Sequence, residues 1–139
     1  MDYQEIAIKK FEEGYNCAQA VACCYAKELG ISEELIYRML EGFGGGVAHS
    51  GHLCGTISGI TLVKSYMDCP DMSAPGTTKE ATYAKLQPLL KQFEQVIGNA
   101  NCRDILAHGD ETLVHGKKSC CRECVKTACN LLDHELVKG

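Results

Sequence analysis

Cysteine is the residue type in this sequence with the greatest capacity for chemistry, since ten of the 139 residues are cysteine. One of them, Cys54, comes shortly after the glycine-rich stretch 42–51. Glycine permits positive φ and close approach of the backbone to another group. A thiol at the start of a helix faces unpaired N–H groups that favour the thiolate. Because thiolates attack disulfides and bind metals, this pattern predicts a redox protein or a metal protein.

Four of the cysteines share a position at the predicted start of a helix: Cys17, Cys54, Cys102 and Cys121. Asn16 and Asn101 each precede one of them and are favourable helix N-caps. Lys118 and Arg122 supply positive charge near the last one. Helix N-termini and cations lower the pKa of a thiol and stabilise an anionic metal–thiolate centre. The shared placement makes these four cysteines the candidate catalytic or ligand residues.

The last of these cysteines belongs to a local cluster. Cys121 and Cys124 form a Cys-x-x-Cys pair and Cys120 adjoins it, so the fourth site cysteine could be any of the three. No His follows the pair, which excludes covalent c-type haem. The βαβ context of a thioredoxin-type motif is also missing.

Not every cysteine is expected to have a chemical role. Free cysteine is among the most buried residue types and behaves as a small hydrophobe. We therefore expect Cys23, Cys24 and Cys129, which lie in apolar helical segments, to fill the core. Cys69 precedes Pro70 in a turn-rich linker and is expected to be incidental.

Two histidines near Cys54 offer an alternative chemistry. His49 and His52 could form a zinc half-site with that cysteine. Closed tetrahedral zinc sites usually have more tightly paired ligands, which makes zinc the less favoured cofactor.

The glycine stretch also lacks the preceding strand and the following Lys-Ser/Thr of a phosphate-binding loop.

Composition narrows the function classes further. The formal charge of -4, without a basic stripe, argues against nucleic acid as a partner. The N-terminus lacks the pattern of a signal peptide, and the apolar stretches are too short for membrane insertion. We expect a cytoplasmic protein, where thiols are kept reduced. Ten cysteines in that compartment indicate metal binding or catalysis more than a disulfide framework.

Periodicity predicts an all-α fold in a single compact domain, 1–139, with the glycine-rich loop placed before a central helix. Asp2, Asn16 and Ser32 are expected to cap the first three helices. Pro88 is expected to kink a long later helix. The recurrence of Gly51, Gly55 and Gly59 predicts a smooth groove for another backbone. The expected helices cover residues 2–13, 17–29, 32–40, 54–67, 77–97, 102–106 and 120–137, with a loop at 108–118.

Four segments in order along the chain resemble a family of redox-active proteins with a Cys, Cys-Gly-Ala-x-x-Gly, Cys, Cys arrangement (C_GCAxxG_C_C). Thr56 stands where that arrangement has Ala. The resemblance covers nearly the whole chain. The segments are Gly14-Tyr15-Asn16-Cys17, Cys54-Gly55-Thr56-Ile57-Ser58-Gly59, Cys102-Arg103-Asp104-Ile105-Leu106 and Cys121-Arg122-Glu123-Cys124-Val125.

The resemblance implies a helical domain with a redox role. Domains of this kind are also similar to the non-haem part of split-Soret cytochromes, which implies an iron–sulfur centre. We therefore expect Cys17, Cys54, Cys102 and Cys121 to converge and to hold an iron–sulfur cluster for electron transfer to an unknown redox partner. Two alternatives stay open: a metal-free thiol–disulfide oxidoreductase led by Cys54, and a zinc-stabilised interaction module.

Overall fold

The computed structural model describes residues 2–138, so Met1 and Gly139 of the expected domain lie outside the described part. The expected all-α class is confirmed, because helices dominate and the sheet is a two-stranded hairpin. The elements are α1 Tyr3–Glu12, α2 Cys17–Cys23, α3 Ala26–Leu29, α4 Glu33–Met39, the 3₁₀ turn Glu41–Phe43, α5 Gly44–Val47, α6 Gly55–Asp68, α7 Lys79–Ile97, α8 Cys102–His108, β1 Leu113–Val114, β2 Lys117–Lys118 and α9 Ser119–Lys138.

Helix caps explain the first three helix starts. The side chain of Asp2 accepts hydrogen bonds from the backbone of Gln4 and Glu5, and the side chain of Ser32 accepts one from Leu35. Asn16 caps α2 through a reciprocal capping box with Gln19. Each cap satisfies N–H groups that have no partner within the helix, and each was expected from the sequence.

Three details differ from expectation. The predicted helix 17–29 is two helices, because the chain turns at Cys24 and Tyr25. The predicted loop 108–118 contains the antiparallel pair β1–β2, joined at His115 and Gly116, which both have positive φ. Residues 41–47 of the glycine-rich loop form short helical turns, although Gly45 and Gly46 have left-handed backbone angles.

The core forms around α6, which packs against α2, α7 and α9. The second layer is made by α1, which lies on α2 and α9. Apart from Tyr25 in the turn after α2, the largest fully buried side chains come from five helices: Phe93, Ile36, Ile57, Ile60, Leu132, Val21, Val63 and Val125. No helix within residues 2–138 combines the length and apolar character needed to cross a bilayer.

The most extensive contact between two helices of residues 2–138 is that of α2 with α6, and glycine makes it possible. A Cβ added at Gly59 would lie 3.0 Å from the carbonyl oxygen of Ala18 and 3.0 Å from the Cβ of Val21. A Cβ added at Gly55 would lie 2.4 Å from the sulfur of Cys17. The expected groove is therefore present at these two glycines, and it brings the start of α2 against the start of α6.

Candidate functional site

The N-terminus of α2 is held in place by two polar side chains, half-buried Asn16 and buried Gln19. The amide of Asn16 donates hydrogen bonds of 3.1 Å to the carbonyl oxygens of Leu40 and Glu41. Gln19, which is 3% exposed, donates from its amide to the carbonyl oxygen of Tyr37 at 2.8 Å. These bonds tie the first turn of α2 to the end of α4, and Cys17 is the first residue of that turn.

A short backbone ladder places Cys54 beside Cys102. The N–H of Cys54 donates to the carbonyl oxygen of Ala100 at 2.8 Å, and the N–H of Cys102 donates to that of His52 at 2.7 Å. Leu53 and Asn101 form the bridge between these bonds. Cys54 directly precedes α6, and Cys102 is the first residue of α8. Two helix starts that are far apart in sequence therefore point their thiols at the same place.

The glycine-rich segment closes over these two cysteines. Gly46 has a φ of 68°, and its carbonyl oxygen accepts a hydrogen bond from the N–H of His52 at 2.9 Å. A Cβ at this glycine would lie 2.7 Å from the Cβ of Cys102. A side chain there would displace the cysteine, which is the physical reason for glycine at this position.

One small cavity of about 30 Å³ collects the thiols. Its walls consist of cysteines and a few apolar groups, and no charged side chain lines it. All four candidate cysteines line it, and Cys124 from the second turn of α9 is a fifth. The lining residues are Cys17, Cys54, Gly55, Cys102, Ile105, Leu106, Cys121 and Cys124.

Cys120 belongs to a different surface. It lines a separate cavity of about 510 Å³ with His108, Gly109 and Asp110. Its thiol contacts that of Cys121. Of these three neighbouring cysteines, Cys121 and Cys124 line the thiol cavity. Their spacing of three residues puts them on one face of α9.

Cys54 is the thiol best prepared to ionise. The Cys124 thiol donates a hydrogen bond to it, and this is the largest influence that lowers the pKa of Cys54 to about 6. The Thr56 hydroxyl, 3.1 Å from the sulfur, and the N–H groups of Thr56 and Ile57 act in the same direction. Burial opposes them. The side chain is only 6% exposed, so this thiolate is stabilised by the protein rather than by water.

The other thiols of the cavity are protonated when no metal is bound. Burial raises the pKa of Cys17 to about 12 and that of Cys121 to about 12. Burial and the nearby Cys54 raise the pKa of Cys102. The pKa of Cys124 rises because its thiol is the donor to Cys54. The site therefore has one thiolate surrounded by thiols, and several protons must leave before all of them can bind a metal.

The histidines do not join this site. His49 and His52 are exposed, whereas Cys54 is buried. The ring of His49 packs over Gly45, where an added Cβ would lie 2.5 Å from its Nδ1. Within residues 2–138, no three His, Cys, Asp or Glu side chains already have the arrangement of a metal site.

The remaining cysteines lie away from the thiol cavity. Cys23 is 2% exposed, and its thiol faces the carbonyl oxygen of Glu33 at 3.8 Å. Cys69 is exposed in the linker after α6. Cys24 and Cys129 lie between α1, α2 and α9, where their thiols contact each other.

Comparison with known protein families gives a match over most of the chain. Residues 15–135 match the model of the family described as "Putative redox-active protein (C_GCAxxG_C_C)". The chain belongs to this family. That description has Gly-Cys-Ala-x-x-Gly as its second motif, whereas the chain has Cys54, Gly55 and Thr56 ahead of Gly59, so it departs from the named motif here.

The chain is 29% identical over 121 residues to an uncharacterized protein of Archaeoglobus fulgidus, in an alignment that covers 82% of this chain and 80% of the relative. No solved structure matches the chain.

Proposed function

We propose that this redox-active protein transfers electrons through an iron–sulfur cluster held by Cys17, Cys54, Cys102 and Cys121. The observation that carries the proposal is their convergence: four segments that are remote in sequence each deliver one thiol, from the start of a helix, to a single cavity. Four cysteine thiolates are the usual ligand set of [2Fe–2S] and [4Fe–4S] clusters. Such a cluster, when bound, accepts and releases single electrons.

The donor set suits an iron–sulfur cluster, and four cysteines are also a ligand set of structural zinc, so metal analysis distinguishes the two. Sulfur is the only heteroatom in the side chains that line the cavity, and Ile105 and Leu106 complete the wall with apolar groups. A volume of about 30 Å³ leaves room for little more than a water molecule. Binding a cluster therefore requires the thiols to move apart, and the glycines at 44–46 and 55 are the places where the backbone has the freedom to allow this.

The chain's own groups would then set the properties of the site. The N-termini of α2, α6, α8 and α9 direct positive partial charge at the sulfurs, which offsets the negative charge of four thiolates. The hydroxyl of Thr56 lies 3.1 Å from Cys54, and the thiol of Cys124 contacts the same sulfur. Hydrogen bonds to ligand sulfurs and exclusion of water are the means by which proteins tune cluster potentials.

Purification under anaerobic conditions tests the proposal. The reconstituted protein should have a visible charge-transfer spectrum, bound iron and acid-labile sulfide in equal amounts, and an electron paramagnetic resonance signal in one oxidation state. Replacing any one of the four ligands by Ser should lower the iron content or shift the spectrum. Cys23→Ser is the matched control, because Cys23 is buried outside the cavity and should leave both unchanged.

Cys124→Ser shows which cysteine of α9, Cys121 or Cys124, is the fourth ligand. If Cys121 is the ligand, Cys121→Ser loses iron whereas Cys124→Ser keeps it with a changed potential. The opposite result would exchange their roles. A colourless protein without iron or sulfide after reconstitution would contradict the cluster itself.

The contact between Cys54 and Cys124 favours a second candidate function, thiol–disulfide oxidoreduction. The Cys54 thiolate would attack one sulfur of a substrate disulfide, and the other sulfur would leave as a thiolate. Cys124 would lose its proton and attack Cys54, which releases the second substrate thiol and leaves a Cys54–Cys124 disulfide. The 6% exposure of Cys54 weighs against this route, because attack needs access. Reduction of a small disulfide by the metal-free protein, lost in both Cys54→Ser and Cys124→Ser, would support it.

A further inference from the structure

The cavity of about 510 Å³ beside Cys120 has the size of a small-molecule site, since ligand pockets usually measure about 300–1,000 Å³. Three segments enclose it: the end of α7 with the turn after it, α8 with the residues that follow it, and the first turns of α9. Its wall combines an apolar side with a thiol, an imidazole and two carboxylates. The polar side chains that line it are those of Asn99, His108, Asp110, Ser119, Cys120 and Glu123.

Backbone hydrogen bonds hold the thiol of Cys120 and the carboxylate of Asp110 at neighbouring points of this wall. The N–H of Cys120 donates to the carbonyl oxygen of Asp110 at 2.9 Å. The N–H and the hydroxyl of Ser119 both donate to the carbonyl oxygen of Thr112, each at 2.9 Å. Residues 110–112 are therefore fastened to the first turn of α9, and the two reactive groups face the cavity together.

Glycine at position 109 keeps the sulfur of Cys120 open to the cavity. The φ of Gly109 is −92°, a value that any residue adopts, so the backbone angle does not require glycine. The close approach of other groups does. An added Cβ would lie 2.5 Å from the Cβ of Cys120, 3.0 Å from its sulfur and 2.6 Å from the carbonyl oxygen of Ile105. The half-buried thiol is therefore left uncovered on this side.

The charges of the wall favour a cationic ligand. Asp110 and Glu123 supply two carboxylates, and the described residues that line the cavity include no Lys or Arg. Hydrogen bonds from the N–H and the hydroxyl of Thr112 lower the pKa of Asp110, which keeps this carboxyl charged. Glu123 has an exposed partner, Lys126, at 3.7 Å, so Asp110 is the stronger source of negative charge. A positive group is thus attracted to a point near the sulfur of Cys120.

The remaining side of the cavity suits a short hydrocarbon arm. It is formed by the apolar side chains of Val96, Ile97 and Ile105. A ligand that matches the whole wall has a reactive sulfur, a short methylene chain and an ammonium group.

We propose that this cavity binds small disulfides that carry an ammonium group, and that Cys120 exchanges with them to form a mixed disulfide. The Cys120 thiol releases its proton to solvent, and the thiolate attacks one sulfur of the ligand. The S–S bond of the ligand breaks, a new bond joins the attacked sulfur to Cys120, and the other half leaves as a thiolate that takes up a proton. One disulfide is consumed and one is formed, so no further oxidant is needed. The site is independent of the proposed cluster, because Cys120 does not line the thiol cavity.

Cystamine and hydroxyethyl disulfide are matched probes, because they have the same chain length and differ in charge. The reduced, metal-free, full-length protein is exposed to each probe, the remaining thiols are alkylated at intervals under denaturing conditions, and the protein is digested with trypsin without reduction. Cleavage after Lys and Arg places Cys120 in peptide 119–122 and the exposed reference Cys69 in peptide 65–79. Fragmentation distinguishes Cys120 from Cys121. The quantity compared is the ratio of the cystamine rate to the hydroxyethyl disulfide rate at each cysteine.

Asp110→Asn removes the charge and keeps an acceptor for the N–H of Thr112. It should lower the ratio at Cys120 by about fivefold at low ionic strength, which is the effect of one unit charge at about 4 Å in water. The ratio at Cys69 should not change. Differences in leaving-group chemistry between the probes cancel, because each ratio is compared between parent and variant. Glu123→Gln should lower the ratio at Cys120 by a smaller factor, since Lys126 already offsets that carboxylate.

Cys120→Ser separates this site from the cluster. The variant should lose the adduct in peptide 119–122 and keep the iron content of the reconstituted protein. Three results would overturn the proposal: no adduct at Cys120 in the folded parent, an adduct that persists in peptide 119–122 of Cys120→Ser, or a ratio at Cys120 that neither carboxylate variant lowers.

Discussion

The hydroxyl oxygen of Thr56 lies 3.1 Å from the sulfur of Cys54, and both side chains are almost completely excluded from solvent. A buried hydroxyl needs a hydrogen-bond partner, and the sulfur is the one available to it here. Once Cys54 has ionised, the hydroxyl must be the donor. This contact is therefore part of the reason that the pKa of Cys54 is lowered to about 6.

Removal of the hydroxyl should raise that pKa. Thr56→Val keeps the shape of the side chain, and Thr56→Ser keeps the hydroxyl. A charge-assisted hydrogen bond is worth enough to move a pKa by about one unit. In the reduced, metal-free protein, the midpoint of Cys54 alkylation against pH should move up by about one unit in the Val variant. The Ser variant should titrate like the parent, and a Val variant that does so would contradict the assigned role.

The glycines between α2 and α6 should tolerate no side chain. Gly59→Leu has to push apart the Ala18 carbonyl and Val21, so we expect the free energy of unfolding to fall by about 1–3 kcal/mol. Gly55→Ala meets the Cys17 sulfur and should reduce iron incorporation as well as stability. Gly42→Ala is the control, because an added Cβ there meets nothing within 4 Å. Urea denaturation measures all three, and equal midpoints for Gly59→Leu and Gly42→Ala would contradict the close approach.

Much of this site follows from local sequence rules, and the rest depends on tertiary contacts. Helix caps and glycines predict the positions of Cys17, Cys54 and Cys102. Cys124 is one of three candidates for the last site cysteine, and its spacing of three from Cys121 signals the shared helix face that brings both to the cavity. The break after α2 has no Gly or Pro to announce it. It coincides instead with Tyr25, whose buried hydroxyl reaches Cys129 and Asp133 more than 100 positions away.

Alkaline pH should destabilise the reduced, metal-free protein. The folded-state pKa of Cys17 is raised by burial from 9.0 to about 12. The neutral thiol thus contributes stability that is complete below pH 9 and is lost as the pH rises toward 12. The limiting slope is about 1.4 kcal/mol per pH unit for each such thiol. Urea midpoints should fall across this range, and Cys17→Ala should fall less steeply. Cys69→Ala, at an exposed position, is the control and should keep the parental slope of urea midpoint against pH. If Cys17→Ala showed that same slope, the assigned role of Cys17 would be wrong.

Asn16 should couple the stability of the fold to the occupancy of the site. Its side chain caps α2 by accepting from the N–H of Gln19 at 2.8 Å, and its amide also binds the carbonyl oxygens of Leu40 and Glu41. Asn16→Ala removes both functions, so we expect a loss of about 0.5–2 kcal/mol in unfolding free energy together with lower iron content. Asn16→Ser keeps the helix cap but loses the hydrogen bonds to the carbonyl oxygens of Leu40 and Glu41, which follow α4. If the position of Cys17 depends on those bonds, the Ser variant should recover stability while its iron content stays low. Full iron content in both variants would show that the cap region does not position this thiol.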